Sequence, residues 1–295
     1  MTKKISKVMI TLLLGVIIAM SVVGCQNVGQ DEVYDDFAID WNGYRPNVVP
    51  PTEQPQLPQV NGGEGEEGEV TLPSETAPAT EPVTYATMIK SETNSLNVRS
   101  APTSSAQSLG TLDKGDMVRY EGESNGWYKT VYKQKTAYVY AGNNYVSKVY
   151  MKRASDDVER VIAVGEELLG YPYVWGSQRY HWGNGVLNTN FVQGQFDCSA
   201  LMQYIFYKGA GTLMDLNTRT QVLQGKKVDV SDLQRGDVMF FTNDSRKGYS
   251  GVERVGHVAL YLGDNYILHT ASDHAVIEEI SAKRQSYFIV AKRFI

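Results

Sequence analysis

Cysteine is scarce in this chain: two among 295 residues, Cys25 and Cys198. So few thiols leave no room for the disulfide framework of a small extracellular scaffold. An excess of positive charge is also missing. Against 28 Lys and Arg stand 33 Asp and Glu, a net charge of −5, and no Lys/Arg run is interleaved with aromatics. Nucleic acid is therefore excluded as an expected partner. Long apolar runs are short supply too. The stretch from Val8 to Val23, preceded by Lys3, Lys4 and Lys7, falls below the ~20 residues that span a bilayer and has the form of a secretory signal core.

That stretch ends in Ser21-Val22-Val23-Gly24-Cys25, which resembles the lipobox of bacterial lipoproteins. The resemblance implies that Cys25 carries a lipid and begins the mature protein, anchored on the outer face of the cytoplasmic membrane. An ordinary cleaved signal and an uncleaved anchor stay open. With Cys25 lipidated, Cys198 is left as a free thiol in an exported protein, where an idle thiol is a liability.

Residues 26–84 are rich in Pro, Glu, Gln, Gly and Thr, with Pro50-Pro51-Thr52-Glu53-Gln54-Pro55 and an acidic run from Gly63 to Glu69. Such a composition buries too little apolar surface to offset chain ordering. It reads as a disordered tether with an end-to-end distance of roughly 40–45 Å. Val33-Tyr34-Asp35-Asp36-Phe37, Trp41 and Tyr44 interrupt it as a semi-ordered aromatic patch.

Residues 85–150 read as short strands between turns. Lys114-Gly115-Asp116 and Asn125-Gly126 mark two hairpins, the second with the type I′ signature. Leu96 to Pro102, Lys114-Gly115-Asp116, Gly126-Trp127-Tyr128 and Ala137-Tyr138-Val139 resemble bacterial SH3-type domains. The resemblance implies either a module that binds wall peptides and shapes a neighbouring groove or one that only packs.

From residue 155 the pattern changes. Ser155 precedes Asp156-Asp157-Val158-Glu159 and apolar Val161, Ile162, Leu168 and Leu169 at helical spacing, closed by Gly170. Asp197 can cap a second helix that Cys198 opens, with Gly209 and Gly211 as its stop. The remainder is β-like. His257 and His269 flank a Gly263-Asp264-Asn265 turn, so a hairpin folded there brings both imidazoles to one sheet end. His181 and His274 read as exposed loop residues. Helices first and an antiparallel sheet after give an α+β fold class, a papain-like domain over 155–295 preceded by a small all-β SH3-like barrel.

A cysteine at a helix start with two imidazoles is the equipment of a thiol hydrolase. A helix N-terminus and a neighbouring imidazole lower a thiol pKa from ~8.5 into a range of about 3.5–7.5, and a second imidazole orients the first. A zinc site of Cys198, His257 and His269 is the other use of these ligand types. The exported setting and motif order favour hydrolysis without metal or cofactor.

Tyr171-Pro172-Tyr173-Val174-Trp175-Gly176, Phe196-Asp197-Cys198-Ser199, Leu233 to Phe241, Gly256 to Gly263 and Leu268-His269-Thr270-Ala271 together resemble the NlpC/p60 cysteine peptidases. The resemblance implies Cys198 as nucleophile, His257 as base, His269 as its orienting partner and Tyr173 near the oxyanion. Asp197, Ser199 and Trp175 fall at the same groove as oxyanion or substrate-binding positions. The implied substrate is the peptidoglycan stem peptide, cut at an amide between D-γ-glutamyl and a diamino acid. Two departures stand out: Ala200 where the family has glycine, and a long insertion between Gly176 and Phe196 that either walls the groove or forms a surface flap. Asn217-Thr218-Arg219-Thr220 offers no acid to hold a free amine, which favours intact wall peptides. Two other functions stay open: a non-catalytic wall-binding lipoprotein, and an amidase or acyltransferase using the same thiol.

Overall fold

The computed structural model describes residues 83–270 and 273–295. The expected signal segment, Cys25, the aromatic patch and the tether up to residue 82 lie outside them. Among the described residues no helix is long and apolar enough to cross a membrane.

Eight strands come first: β1 Tyr85–Ser91, β2 Leu96–Arg99, β3 Ser108–Leu112, β4 Met117–Arg119, β5 Gly122–Ser124, β6 Trp127–Tyr132, β7 Lys135–Tyr140 and β8 Val146–Lys152. They form a sheet of order β4-β1-β8 and a second of order β3-β2-β7-β6-β5. Alternating side chains such as Ile89, Val98, Val118, Ala137 and Val139 are sealed between them. Asn125 and Gly126 turn β5 into β6 with φ of 52° and 77°, the left-handed pair a type I′ turn demands. Lys114-Gly115-Asp116 is a turn but not a hairpin. β3 pairs with β2 and β4 with β1, so these residues carry the chain from one sheet to the other.

The β6–β7 turn has the same left-handed geometry at Lys133 and Gln134, φ 51° and 56°, without a turn-forming residue. Its partner supplies the reason. Lys133 N–H donates to the Leu169 carbonyl at 3.0 Å and Gln134 N–H to the Glu167 carbonyl at 2.7 Å, satisfying carbonyls at the end of the next helix that lack intrahelical donors. Gly170 follows, and a Cβ there would lie 2.2 Å from the Tyr132 ring. The barrel is thus docked on the following domain.

That domain begins with α1 (Asp156–Glu167), capped by Ser155, whose hydroxyl accepts from Val158 N–H. α2 (Cys198–Ala210) is capped by Asp197 and ends at Gly211 with φ 65°. Gly209 is not part of the stop. It lies inside α2, where a Cβ would fall 2.5 Å from Val161 Cα, and its bare backbone lets α1 and α2 pack closely. The short α3 (Thr218–Gln221), β9 (Lys226–Val228), β10 (Val238–Phe241), β11 (His257–Gly263), β12 (Tyr266–Thr270), β13 (Ala275–Glu279), α4 (Ala282–Ser286) and β14 (Phe288–Arg293) complete it. The sheet, of order β13-β12-β11-β10-β14-β9, is antiparallel throughout. Val258, Leu260, Leu268 and Ile277 share a core with α1 and α2. Ala259, Tyr261, Ile267 and Phe241 form a second core on the other face. This is the α+β arrangement expected, helices on an antiparallel sheet after a small all-β barrel.

One buried ion pair braces the second domain, and another pair ties that domain to the barrel. Arg235 meets Glu159 at 2.7 and 3.1 Å and donates to the Leu262 carbonyl. Arg119 of β4 meets Glu166 of α1 at 3.2 Å. Burial outweighs Arg119 at the second pair and pushes the Glu166 carboxyl up to about 7.

Two outcomes follow from this packing. Gly→Ala inside a helix ordinarily stabilises by roughly 0.5–1 kcal/mol, whereas Gly209→Ala is expected to destabilise by about 1–3 kcal/mol because the methyl meets the α1 backbone. Urea unfolding reads the sign. For Glu166, a folded pKa above the unfolded value means stability present at low pH and lost as pH rises through about 7. Glu166→Gln is therefore expected to gain about 1–3 kcal/mol on the parent between pH 5 and pH 8. A gap that narrows as pH rises would contradict this.

Candidate active site

α2 ends its N-terminal turn against the start of β11. The Cys198 sulfur sits there, facing the backbone N–H groups of Ser199 and of Val258, the residue after His257. Cys198 is buried, 8% exposed. Against expectation, the resting thiol is not held as thiolate. Burial dominates and, with the Asp197 carboxylate, pushes it up to about 12, while the two N–H groups and Arg179 work the other way.

The β11–β12 hairpin brings the two imidazoles together. It turns at Asp264 and Asn265, φ 48° and 67°, and sets His257 Nε2 2.9 Å from His269 Nδ1, rings edge to face with centroids 5.0 Å apart. By strand alternation both project from the face that carries Ala259 and Ile267, and the His257 ring lies 6.1 Å from that of Phe241. His269 is fully buried. Burial, His269 and Arg284 hold His257 well below the usual histidine range. Burial also lowers His269, against a hydrogen bond to Glu278.

Glu278 was not anticipated. Its Oε1 lies 3.0 Å from His269 Nε2 and 3.3 Å from Arg284 Nη2. The register explains the contact: His269 pairs with Val276 and Ile267 with Glu278, so Glu278 is the diagonal neighbour of His269 on one face. In sequence Glu278 is one of two acids, Glu278-Glu279, that close the apolar Ala275-Val276-Ile277 run, and nothing local singles it out.

Asp197 and Ser199 serve the helix start. Asp197 Oδ1 accepts from Ala200 N–H at 2.8 Å and from Ser199 Oγ at 2.9 Å. Asp197 Oδ2 lies 3.0 Å from Arg179 Nη2, which also donates to Ser199 Oγ at 3.1 Å. Ser177 Oγ accepts the Asp197 N–H at 2.8 Å. Ser177 and Arg179 belong to the insertion, which therefore supports the start of α2. Arg179 further donates to the carbonyls of Ser177 and Leu216.

The rest of the insertion has two sides. Tyr180 and Phe191 pack on Tyr204, centroids 5.0 and 5.5 Å away, while Trp182, Val186, Leu187 and Val192 are exposed. His181 is buried, not exposed as expected, tilted against the Tyr207 ring and accepting Gly183 N–H at Nδ1. His274 is half-exposed and pairs with Asp273. Tyr173, pinned between Asp273 and Phe196, shares its surroundings with Cys198, Asp197 and Arg179, and burial raises its phenol. Trp175 is 85% exposed. Among the described residues no three His, Cys, Asp or Glu side chains converge as metal ligands.

A separate groove of about 580 Å³ lies on the barrel, lined by Asn97, Arg99, Trp127, Tyr140 and Tyr145 among others. The rings form an edge-to-face ladder with centroids 5.5 Å apart. Trp127 and Tyr140 sit at the opposite end of the β6–β7 ribbon from the docked Lys133-Gln134 turn.

Comparison with known proteins agrees with this architecture. The NlpC/P60 family model matches residues 170–293 and the bacterial SH3 domain model residues 94–147, so the chain carries both domains. A gamma-D-glutamyl-L-lysine dipeptidyl-peptidase of Bacillus cereus is 32% identical over 48% of this chain and 37% of its own length. The peptidoglycan endopeptidase RipA of Mycolicibacterium smegmatis is 32% identical over 43% of this chain and 23% of its own. The chain thus spans well under half the length of these relatives. A solved NlpC/P60 family structure from Bacillus cereus, 21% identical, covers 71% of this chain and 63% of its own with a TM-score of 0.36.

The charges beside the sulfur make a paired test. Asp197→Asn keeps a capping side chain and removes a negative charge, whereas Arg179→Gln removes a positive one. The pH midpoint for iodoacetamide alkylation of Cys198, followed by the mass of its peptide, is expected to fall in the first and rise in the second. Shifts of the same sign would show that both residues act only through folding.

Proposed function

We propose that this chain, with its NlpC/P60 and bacterial SH3 domains, is a cysteine endopeptidase of the bacterial wall that hydrolyses stem-peptide amides between D-γ-glutamyl and a diamino acid. In this proposal a lipid on Cys25 holds it at the outer face of the cytoplasmic membrane. The observation that carries the reading is the hydrogen-bonded pair His257 and His269 at the sheet end, where the Cys198 sulfur meets the start of β11.

With thiol and imidazole both neutral at rest, proton transfer accompanies attack. The Cys198 sulfur bonds to the amide carbon as its proton passes to His257. The oxygen that becomes negative is met by the first N–H of α2, that of Cys198, which has no intrahelical acceptor, with the Tyr173 phenol beside it. The C–N bond then breaks as His257 gives the proton to the leaving amine. Water, deprotonated by His257, attacks the thioester, releasing the γ-glutamyl carboxylate and restoring the thiol. No metal or cofactor enters. An amidase or acyltransferase would share these steps and differ in the acyl group accepted.

The barrel groove favours one addition: wall binding independent of cleavage, through Trp127, Tyr140 and Tyr145.

Digestion of purified sacculi, with new termini identified by mass spectrometry, tests the proposal. The parent protein is expected to release γ-glutamyl termini, and Cys198→Ala and His257→Ala to lose more than about 10³-fold of that rate. Cys198→Ala should still sediment with sacculi, and Trp127→Ala with Tyr140→Ala should not. Equal, null digestion by parent and Cys198→Ala would leave only the docking function.

A further inference from the structure

A base must hold a lone pair towards the proton it takes, and an imidazole paired with another imidazole can do so in only one of two tautomers. The choice is made outside the pair. An ionised carboxylate only accepts hydrogen bonds, so at 3.0 Å from Glu278 Oε1 the His269 Nε2 carries a proton. Neutral His269 then presents a lone pair at Nδ1. His257 Nε2, 2.9 Å away, must carry the proton of that bond, which leaves the lone pair of neutral His257 at Nδ1. Without the carboxylate the chain can reverse. His269 Nδ1–H would donate to His257 Nε2, and His257 Nδ1 would already hold a proton and could take none from Cys198.

We propose that Glu278 is a positioning residue that fixes the tautomers of His269 and His257 and so keeps the base open at Nδ1. The claim rests on the peptidase reading for its catalytic consequence and stands without it as a statement about the imidazoles. Arg284, 3.3 Å from the same oxygen, defines which substitutions preserve the arrangement. In Glu278→Gln its guanidinium holds the amide oxygen, not the NH₂, in the former carboxylate position, so an acceptor still faces His269 Nε2. In Glu278→Leu, and in Glu278→Ala should the leucine not fold, the fully buried ring loses its acceptor.

The full-length protein labelled with ¹⁵N-histidine allows a direct reading. Its four histidines are assigned by single His→Gln variants, and the pyrrole-type and pyridine-type nitrogen signals give each tautomer. The parent and Glu278→Gln are expected to show His269 as the Nε2–H form alone, and Glu278→Leu to show both forms. Turnover on sacculi should fall about 10- to 100-fold in Glu278→Leu at nearly unchanged KM and stay within about 3-fold of the parent in Glu278→Gln, since the amide keeps the acceptor. Alkylation of Cys198 reports on the site where sacculi are not a substrate, so failure of the proposed function does not hide the answer. A single Nε2–H tautomer in the leucine variant, or equal losses in leucine and glutamine variants, would overturn the proposal.

Discussion

The site is governed by the desolvation of its own polar groups. A cysteine 8% exposed and a histidine fully buried lie where charge is costly and an unpaired donor nearly as costly. Most polar atoms near them are answered by two chains of hydrogen bonds, Arg284 Nε and Thr270 Oγ1 being left without a partner among the described residues. One runs from Arg179 through Asp197 and Ser199 into the first turn of α2. The other runs from Arg284 through Glu278 and His269 to His257. Each starts from a largely buried arginine paired with a carboxylate, and neither pair is silent: Asp197 raises the Cys198 thiol and Arg284 lowers the His257 imidazole.

The barrel belongs to this economy through the strands it covers. Its β6–β7 turn supplies donors to carbonyls at the end of α1, and Arg119 reaches Glu166 in the same helix. α1 in turn lies against α2 at Gly209, the helix that begins with Cys198. The barrel is thus continuous with the packing under Cys198. Its aromatic groove lies at the other end of the β6–β7 ribbon, which separates the two uses proposed for it: one surface holds the second domain and another is left for a ligand.

Much of this was legible before any coordinates, for local reasons. Ser155 and Asp197 announce helix starts by side-chain chemistry that acts within three residues, and Asn125-Gly126 announces a turn by backbone preference alone. The histidine hairpin was legible because its turn residues and its spacing speak together. What stayed hidden depends on partners distant in sequence. Lys133 and Gln134 adopt left-handed backbone because α1 offers carbonyls. Gly209 reads as a helix stop and is a point of contact, because only the fold places Val161 beneath it. The role of Arg179 was lost inside an insertion whose composition says nothing of where it folds back. Glu278 needed the β12–β13 register, which no local signal carries. The thiol's protonation is hidden for a related reason: helix and imidazole are visible in sequence, and the burial that outweighs them is not.

The same burial explains why the second chain ends in a carboxylate paired with an arginine. In the proposed attack His257 becomes cationic, and a lone Glu278 would favour that charge while a lone Arg284 would oppose it. Held 3.3 Å apart on one oxygen, they oppose each other, and at His257 the effect of Arg284 remains, adding to burial in holding the imidazole low. Glu278 sets direction, because it accepts from His269 whatever the balance of charge. A buried imidazole whose proton is placed and whose basicity is held low suits a base that must return to an amine the proton it takes from a thiol. A strong net charge behind it would speed one of these transfers at the expense of the other.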